Sequence, residues 1–255
     1  MSPSLFPEEE IRVYSLIASR DGIKAREIAS FLHLEKKAVS QLLFRSALMR
    51  EMCYQDRDYR WHALIRRAPV HEGLFEFSGW YGTVREFLAL GEEAWLESLR
   101  DGCRRIGRNL NDTRGLTHSF LDCRQVMGTL FSDLASMMSA PCGDWELVFE
   151  FRLNRARMIR IYADVLLITR DRVFSLEFKM KDQIVTDEVA QAAKYVPYLE
   201  VVFGSGYDII PALVLTRASD LFRYERIRGG DGILPVCSGD MLFNVLNEYI
   251  GFLQS

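Results

Sequence analysis

No apolar run in the sequence is long enough to span a bilayer, so a helical membrane protein is not expected. The first residues, Met1-Ser2-Pro3-Ser4-Leu5-Phe6-Pro7, carry neither the basic nor the apolar segment of a secretory signal. Cysteine is sparse: Cys53, Cys103, Cys123, Cys142 and Cys237 are odd in number and far apart. That excludes a disulfide framework and predicts reduced thiols in a cytoplasmic protein. Histidine is sparser still, and His33, His62, His71 and His118 are too dispersed for a metal cluster or a catalytic dyad. No phosphate-binding P-loop is present, because Gly204-Ser205-Gly206 and Gly229-Gly230-Asp231-Gly232 read as loop punctuation. A step that needed ATP would therefore call for a partner ATPase subunit. Net charge is only -3, so bulk electrostatics announce no polyanionic partner. Local patches decide such binding, however. Repeats and low-complexity tracts are also absent.

What is there is ordinary in bulk and organised in detail. The 255 residues are 49% hydrophobic and 26% charged, enough for two compact domains with a sizeable core. Three zones follow one another. Residues 1–68 show helical apolar spacing over Glu9–Ser19, Lys24–Leu32 and Glu35–Arg50. Met52-Cys53-Tyr54 and Tyr59-Arg60-Trp61 then flank a polar tip, as in a β-hairpin. Three short helices before a hairpin predict a winged helix-turn-helix. Residues 69–141 read as a helical connector, with long helices over Thr83–Ile106 and Leu116–Met138. Residues 142–255 change period. Trp145–Leu153, Ile159–Thr169 and Val173–Met180 are strand-like, and the turn at Thr169–Arg172 joins the last two. Thr186–Tyr198 is helical, Ile209–Thr216 a buried strand and Met241–Phe252 a closing helix. The expected class is α+β.

The chemistry-bearing residues lie in this third zone. Asp164 opens an otherwise apolar strand, and Glu177 and Lys179 sit two apart on the next, facing the same way. Charges that interrupt an apolar strand are costly unless paired or bound to an ion. The strand before them offers one more carboxylate, Glu146 or Glu150, of equal parity; Glu150 is preferred for its place nearer the strand pairing with Asp164. On the following helix, Gln191 and Tyr195 are four apart and share a face. Phosphodiester hydrolysis needs an activated water, neutralised phosphoryl charge and a stabilised leaving oxygen. Mg²⁺ on one or two carboxylates, with a lysine nearby, can supply these. A cross-strand ion pair on a solvated face is the bland alternative for Glu177 and Lys179.

An acidic strand, then Asp164, then Glu177-Phe178-Lys179 on the next strand resembles the signature of the PD-(D/E)xK nuclease superfamily. Gln191-Ala192-Ala193-Lys194-Tyr195 resembles the Gln-x-x-x-Tyr motif of its RecB-like branch. The resemblance spans about Trp145–Thr216. It implies a restriction-endonuclease-like mixed sheet flanked by helices, with Asp164 and Glu177 as ligands of Mg²⁺ or Mn²⁺. Lys179 would be the catalytic lysine, Glu150 the upstream acid, and Gln191 and Tyr195 supports of the site. It also implies a DNA nuclease (RNA remains possible) in restriction, phage defence or repair, and a possible homodimer.

Residues 1–68 hold twelve Lys and Arg against nine Asp and Glu. Lys36, Lys37, Gln41 and Arg45 recur on the third helix, and Arg57 and Arg60 sit on or beside the hairpin. These are candidate phosphate contacts. The run Leu34–Phe44 with Trp61 is similar to Z-alpha-type winged helices, but Ser40 and Phe44 replace the Asn and Tyr usual there. A winged helix used for protein contact is the alternative. For the whole chain, the alternative is a non-catalytic DNA-binding regulator built on a nuclease-like scaffold.

Overall fold

A computed structural model describes residues 7–20, 22–63, 73–110, 113–137, 142–153, 161–228 and 232–250. The helix ends expected at Met138 and Phe252, the strand start at Ile159, His71 and the Gly229–Asp231 stretch lie outside the described residues. The chain is a mixed α and β protein with a large mixed sheet flanked by helices. It divides into two units, one of residues 1–77, 152–162 and 197–207, the other of 78–151, 163–196 and 208–255.

In the first unit the apolar spacing produces α1 (Glu8–Ser19), α2 (Ala25–Leu32) and α3 (Lys36–Arg45). Val13, Tyr14, Ile17, Ile28, Ala29, Val39 and Leu43 are among its buried positions on these helices. The third expected helix, Glu35–Arg50, is broken at Ser46, which is extended, and α4 (Ala47–Met52) starts afresh. Ser46 accepts a hydrogen bond from Met49 N at 3.3 Å and donates to Glu10 at 2.5 Å. A serine that can satisfy a free helix N–H and a neighbouring carboxylate favours a new start over a continuous helix. β1 (Ile23–Lys24), β2 (Cys53–Gln55) and β3 (Arg60–Ala63) form a small antiparallel sheet in the order β1-β3-β2. β2 and β3 make the expected hairpin. Strand β1 was not anticipated, since its two residues carry no periodicity.

The second unit is built on seven strands: β4 (Trp80–Thr83), β5 (Glu146–Arg152), β6 (Tyr162–Ile168), β7 (Arg172–Lys179), β8 (Asp208–Leu215), β9 (Phe222–Arg226) and β10 (Ile233–Ser238). Their spatial order is β4-β5-β6-β7-β8-β10-β9. The β6–β7 hairpin is antiparallel, β8 lies parallel to both β7 and β10, and β4 and β9 are antiparallel to their neighbours. Trp80–Thr83 falls within the stretch expected to be a helical connector, and there the expectation fails. Four residues interrupted by Gly82 are too short to show alternation, and pairing with β5 alone makes them a strand.

The central strands are buried on both faces. Phe174, Leu176 and Phe178 of β7 join Ile210, Ala212 and Val214 of β8 on one face. There they meet α5 (Val84–Ala89), α6 (Glu92–Arg105), α7 (Thr113–Met137) and α10 (Leu242–Ile250). On the other face Leu213 and Leu215 pack with Val189 and Ala192 of α8 (Thr186–Lys194). The helix expected over Thr186–Tyr198 ends early, and α9 (Val196–Phe203) follows with Pro197 in its first turn. Proline is tolerated there because a first-turn N–H has no partner to lose, but it cannot continue a helix from before. The long helix expected over Thr83–Ile106 likewise divides, at Leu90-Gly91.

Helix α6 approaches the sheet through two glycines. A Cβ on Gly102 would stand 1.7 Å from the Gly79 carbonyl oxygen. We expect Gly102→Ala to cost about 3 kcal/mol, since backbone rather than a mobile side chain must yield. Gly128→Ala, in α7 with nothing within 4 Å, should instead stabilise by about 0.5–1 kcal/mol. Urea denaturation of the two variants checks both signs.

Candidate active site

The site forms where β6 and β7 run side by side. Val165 pairs with Leu176, and the same register continued by one residue sets Asp164 opposite Glu177. Asp164 Oδ2 accepts a hydrogen bond from Phe178 N at 2.9 Å. Lys179 Nζ lies 2.8 Å from Glu177 Oε1. Helix α8 brings Gln191 to the same oxygen, its Nε2 donating to Glu177 Oε1 at 2.7 Å and lying 3.1 Å from the Tyr195 hydroxyl. Small residues Ala192 and Ala193 let this helix settle close to the sheet. Glu177 Oε2 is buried and has no hydrogen-bond partner.

Glu150 reaches the neighbourhood from β5 by a distortion. Its φ is 54°, in the left-handed region that a glutamate rarely adopts. Gly79 N spans two successive carbonyls there, Phe149 O at 2.9 Å and Glu150 O at 3.2 Å, the geometry of a bulge. The Glu150 carboxylate meets Arg108, with Nε–Oε2 at 2.8 Å. Arg108 is placed by the end of α6. Gly107 has φ 73° and donates to Arg104 O at 3.1 Å, and Arg108 N donates to Cys103 O at 2.8 Å. This is a Schellman cap, which needs a residue tolerant of positive φ. Glu146 stands elsewhere, accepting from the Tyr81 hydroxyl at 3.2 Å. Of the two acids with equal parity, the fold therefore groups Glu150 with Asp164 and Glu177.

The electrostatics follow from crowding. Burial raises the pKa of Asp164, opposed by the Phe178 N–H and by Lys179 and Arg108. Glu150 and Glu177 are also pushed up, first by burial and then by Asp164, against the pull of Arg108 and Lys179 respectively. Burial acts to lower the Lys179 pKa, but Glu177 outweighs it and the net shift is upward, so the ammonium stays charged.

The residues nominated as phosphate contacts lie in the first unit. Lys36, Lys37, Gln41 and Arg45 are exposed on α3, opposite its buried Val39 and Leu43. Arg57 is exposed between β2 and β3. Arg60 is exposed as well, but its guanidinium donates to Gly22 O at 2.8 Å and ties the hairpin to the preceding turn. Phe44 is 61% exposed and packs edge-on against buried Trp61, with ring centroids 5.3 Å apart.

No family model and no curated protein matches the chain. Among solved structures it is similar to protein VC1899 from Vibrio cholerae, at 11% identity and a TM-score of 0.28. That match covers 98% of this chain and 57% of that one, so the chain spans little more than half of its neighbour's length. A likeness at this level decides neither fold nor function.

Sequence reasoning missed Arg108. Its only signal was Gly107 at the end of a helical pattern, which marks a cap but names no partner on a distant strand. Among the described residues no three His, Cys, Asp or Glu side chains form a ready-made metal cage. The donor set is nonetheless of the right kind for a hard divalent cation, which takes one or two carboxylates and fills its remaining positions with water and substrate oxygens.

A raised carboxylate pKa has a definite consequence for stability. Protonation of Glu177 is favoured in the folded state, so stability present at low pH is lost as pH rises above the unfolded value and through the raised folded one. In metal-free buffer at neutral pH, Glu177→Gln should therefore be more stable than wild type, by about 2 kcal/mol. The gap should close toward about pH 4, where both states are protonated. Denaturation midpoints across that range provide the check.

Proposed function

We propose that the chain is a metal-dependent nuclease of the PD-(D/E)xK type, cutting DNA. The observation that carries this reading is the Glu177 carboxylate. One oxygen is held by Lys179 and Gln191, while the other is buried with no hydrogen-bond partner, beside the carboxylate of Asp164. A buried lone pair without a donor costs free energy that a bound cation would recover. Asp164 and Glu177 would hold Mg²⁺ or Mn²⁺. Such a cation neutralises charge on the phosphoryl group and acidifies water for attack.

The chain's own groups take the remaining roles. Lys179 places a positive point charge where the attacking water and the phosphoryl oxygens meet. Gln191 fixes the rotation of the Glu177 carboxylate, and Tyr195 fixes Gln191. Glu150 is the upstream acid. The surrounding sheet and helices fit a restriction-endonuclease-like domain. The first unit, with its helices and small sheet, fits a winged helix whose α3 meets the phosphodiester backbone. A setting in restriction, phage defence or repair belongs to this reading by family analogy.

We expect Asp164→Ala, Glu177→Ala and Lys179→Ala each to reduce Mn²⁺-dependent cleavage of single-stranded or duplex DNA by at least about 100-fold, with the fold retained by circular dichroism. Wild-type protein should bind Mn²⁺ in calorimetry, and the double variant of Asp164 and Glu177 should not. Metal binding without cleavage of DNA or RNA, or no metal binding at all, would favour the non-catalytic scaffold. For the first unit, replacing Lys36, Lys37 and Arg45 by Ala should weaken DNA binding whatever the sequence. The same change should flatten the plot of log affinity against log salt by about three units of slope.

A further inference from the structure

Three backbone features converge on one ion pair beside the carboxylate group, and one of them is strained. Glu150 stands at φ 54° in a strand. Gly107 takes φ 73° to turn the chain after α6. Gly102 and Gly79 bring α6 against the sheet so closely that neither tolerates a Cβ, and the Cβ of Gly79 would also lie 3.0 Å from that of Glu150. What they accomplish together is the placement of Arg108 on Glu150 at 2.8 Å. The strain at Glu150 persists because its surroundings over-determine the geometry, and strain of that kind concentrates at functional sites.

The pair is asymmetric. The Glu150 side chain is 5% exposed and that of Arg108 28%, so the carboxylate is sealed while part of the Arg108 side chain, though not its buried Nε, reaches solvent. Resting on the nuclease reading, we propose that Arg108 is a catalytic residue that meets the non-bridging oxygens of the scissile phosphate, with Glu150 as the anchor that aims it. A guanidinium presents five N–H donors in one plane, so it can serve a carboxylate and a phosphate together. Held rigidly at the border of a desolvated site, its charge costs no reorganisation as negative charge builds on the phosphoryl oxygens. Arg108 moves no proton. Water forms the new P–O bond, the bond to the leaving oxygen breaks, and the proton lost by one and gained by the other are exchanged with solvent.

Removing Arg108 alone would leave Glu150 buried without its counter-charge and threaten the fold. The test therefore compares Glu150→Gln with the double variant Arg108→Gln, Glu150→Gln, and adds Arg108→Lys. Cleavage of labelled DNA is measured in Mn²⁺, and binding of the same DNA in Ca²⁺. The double variant should cleave about 100-fold more slowly than Glu150→Gln in kcat, with DNA affinity in Ca²⁺ changed by no more than about 2-fold, and Arg108→Lys should keep part of the rate. Equal kcat for the double variant and Glu150→Gln would overturn the proposal and reduce Arg108 to a holder of Glu150. A loss that appears equally in Ca²⁺ affinity would also overturn it, making Arg108 a ground-state contact. If wild type binds DNA but does not cut it in Mn²⁺, the nuclease reading itself fails and takes this assignment with it; that result is told apart by the wild-type lane alone.

Discussion

Crowding buried Glu150 and Glu177 with half-buried Asp164 is the constraint that the rest of the second unit answers. Withdrawing a carboxylate from water costs several kcal/mol even after relaxation, and adding like charges raises that cost. The fold responds with cations and directed N–H groups. Lys179 and Gln191 share one oxygen of Glu177, Phe178 N serves Asp164, and Arg108 serves Glu150. They come from different parts of the architecture: the side chain and backbone of β7 itself, the helix crossing over it, and a helix cap beyond the sheet. The compensation is incomplete, because one oxygen of Glu177 has no hydrogen-bond partner and Glu150 Oε2 meets Arg108 Nε as a charge contact without hydrogen-bond geometry. A site that was fully neutralised would be more stable.

The aromatic core beneath explains how such a site can be tolerated. Trp80, Phe87, Trp95 and Phe149 interlock at centroid separations of 5.0–6.0 Å. Such pairs contribute about 0.5–1.5 kcal/mol each beyond their area. Phe149 belongs to this cluster, and the next residue is the distorted Glu150. The strand is thus pinned by a ring in contact with three other aromatics, next to the point where its backbone is strained.

Much of this was legible in the sequence, for identifiable reasons. Asp164, Glu177 and Lys179 stood out because each broke an apolar strand, and strand parity put Glu177 and Lys179 on one face. Gln191 and Tyr195 were found because helical spacing is short-range. The choice between Glu146 and Glu150 could not be decided from parity, since a bulge and a helix cap select between them. Arg108 was invisible because its partner lies on another element and no local period links the two. The breaks at Ser46, Gly91 and Pro197 were missed because a helical stripe can run across a break without losing its phase. Strands β4 and β9 went unread because edge segments this short show too little alternation, and β10, an interior strand, because Pro235 in its middle argues against a strand.

The order of the site residues along the chain has a kinetic side. Asp164, Glu177, Lys179, Gln191 and Tyr195 come from one hairpin and the helix that follows it. Contacts of such short sequence separation close cheaply and tend to form early. Arg108 and Glu150 join them only when α6 docks, with α7 intervening in the chain. The site therefore has a nearly self-contained local half and a late-arriving half, and the two can fail separately. A lesion in α6 could leave the local carboxylate group assembled yet strip it of its outer arginine. Such a protein would look native to a spectroscopist while lacking the contact that completes the pocket.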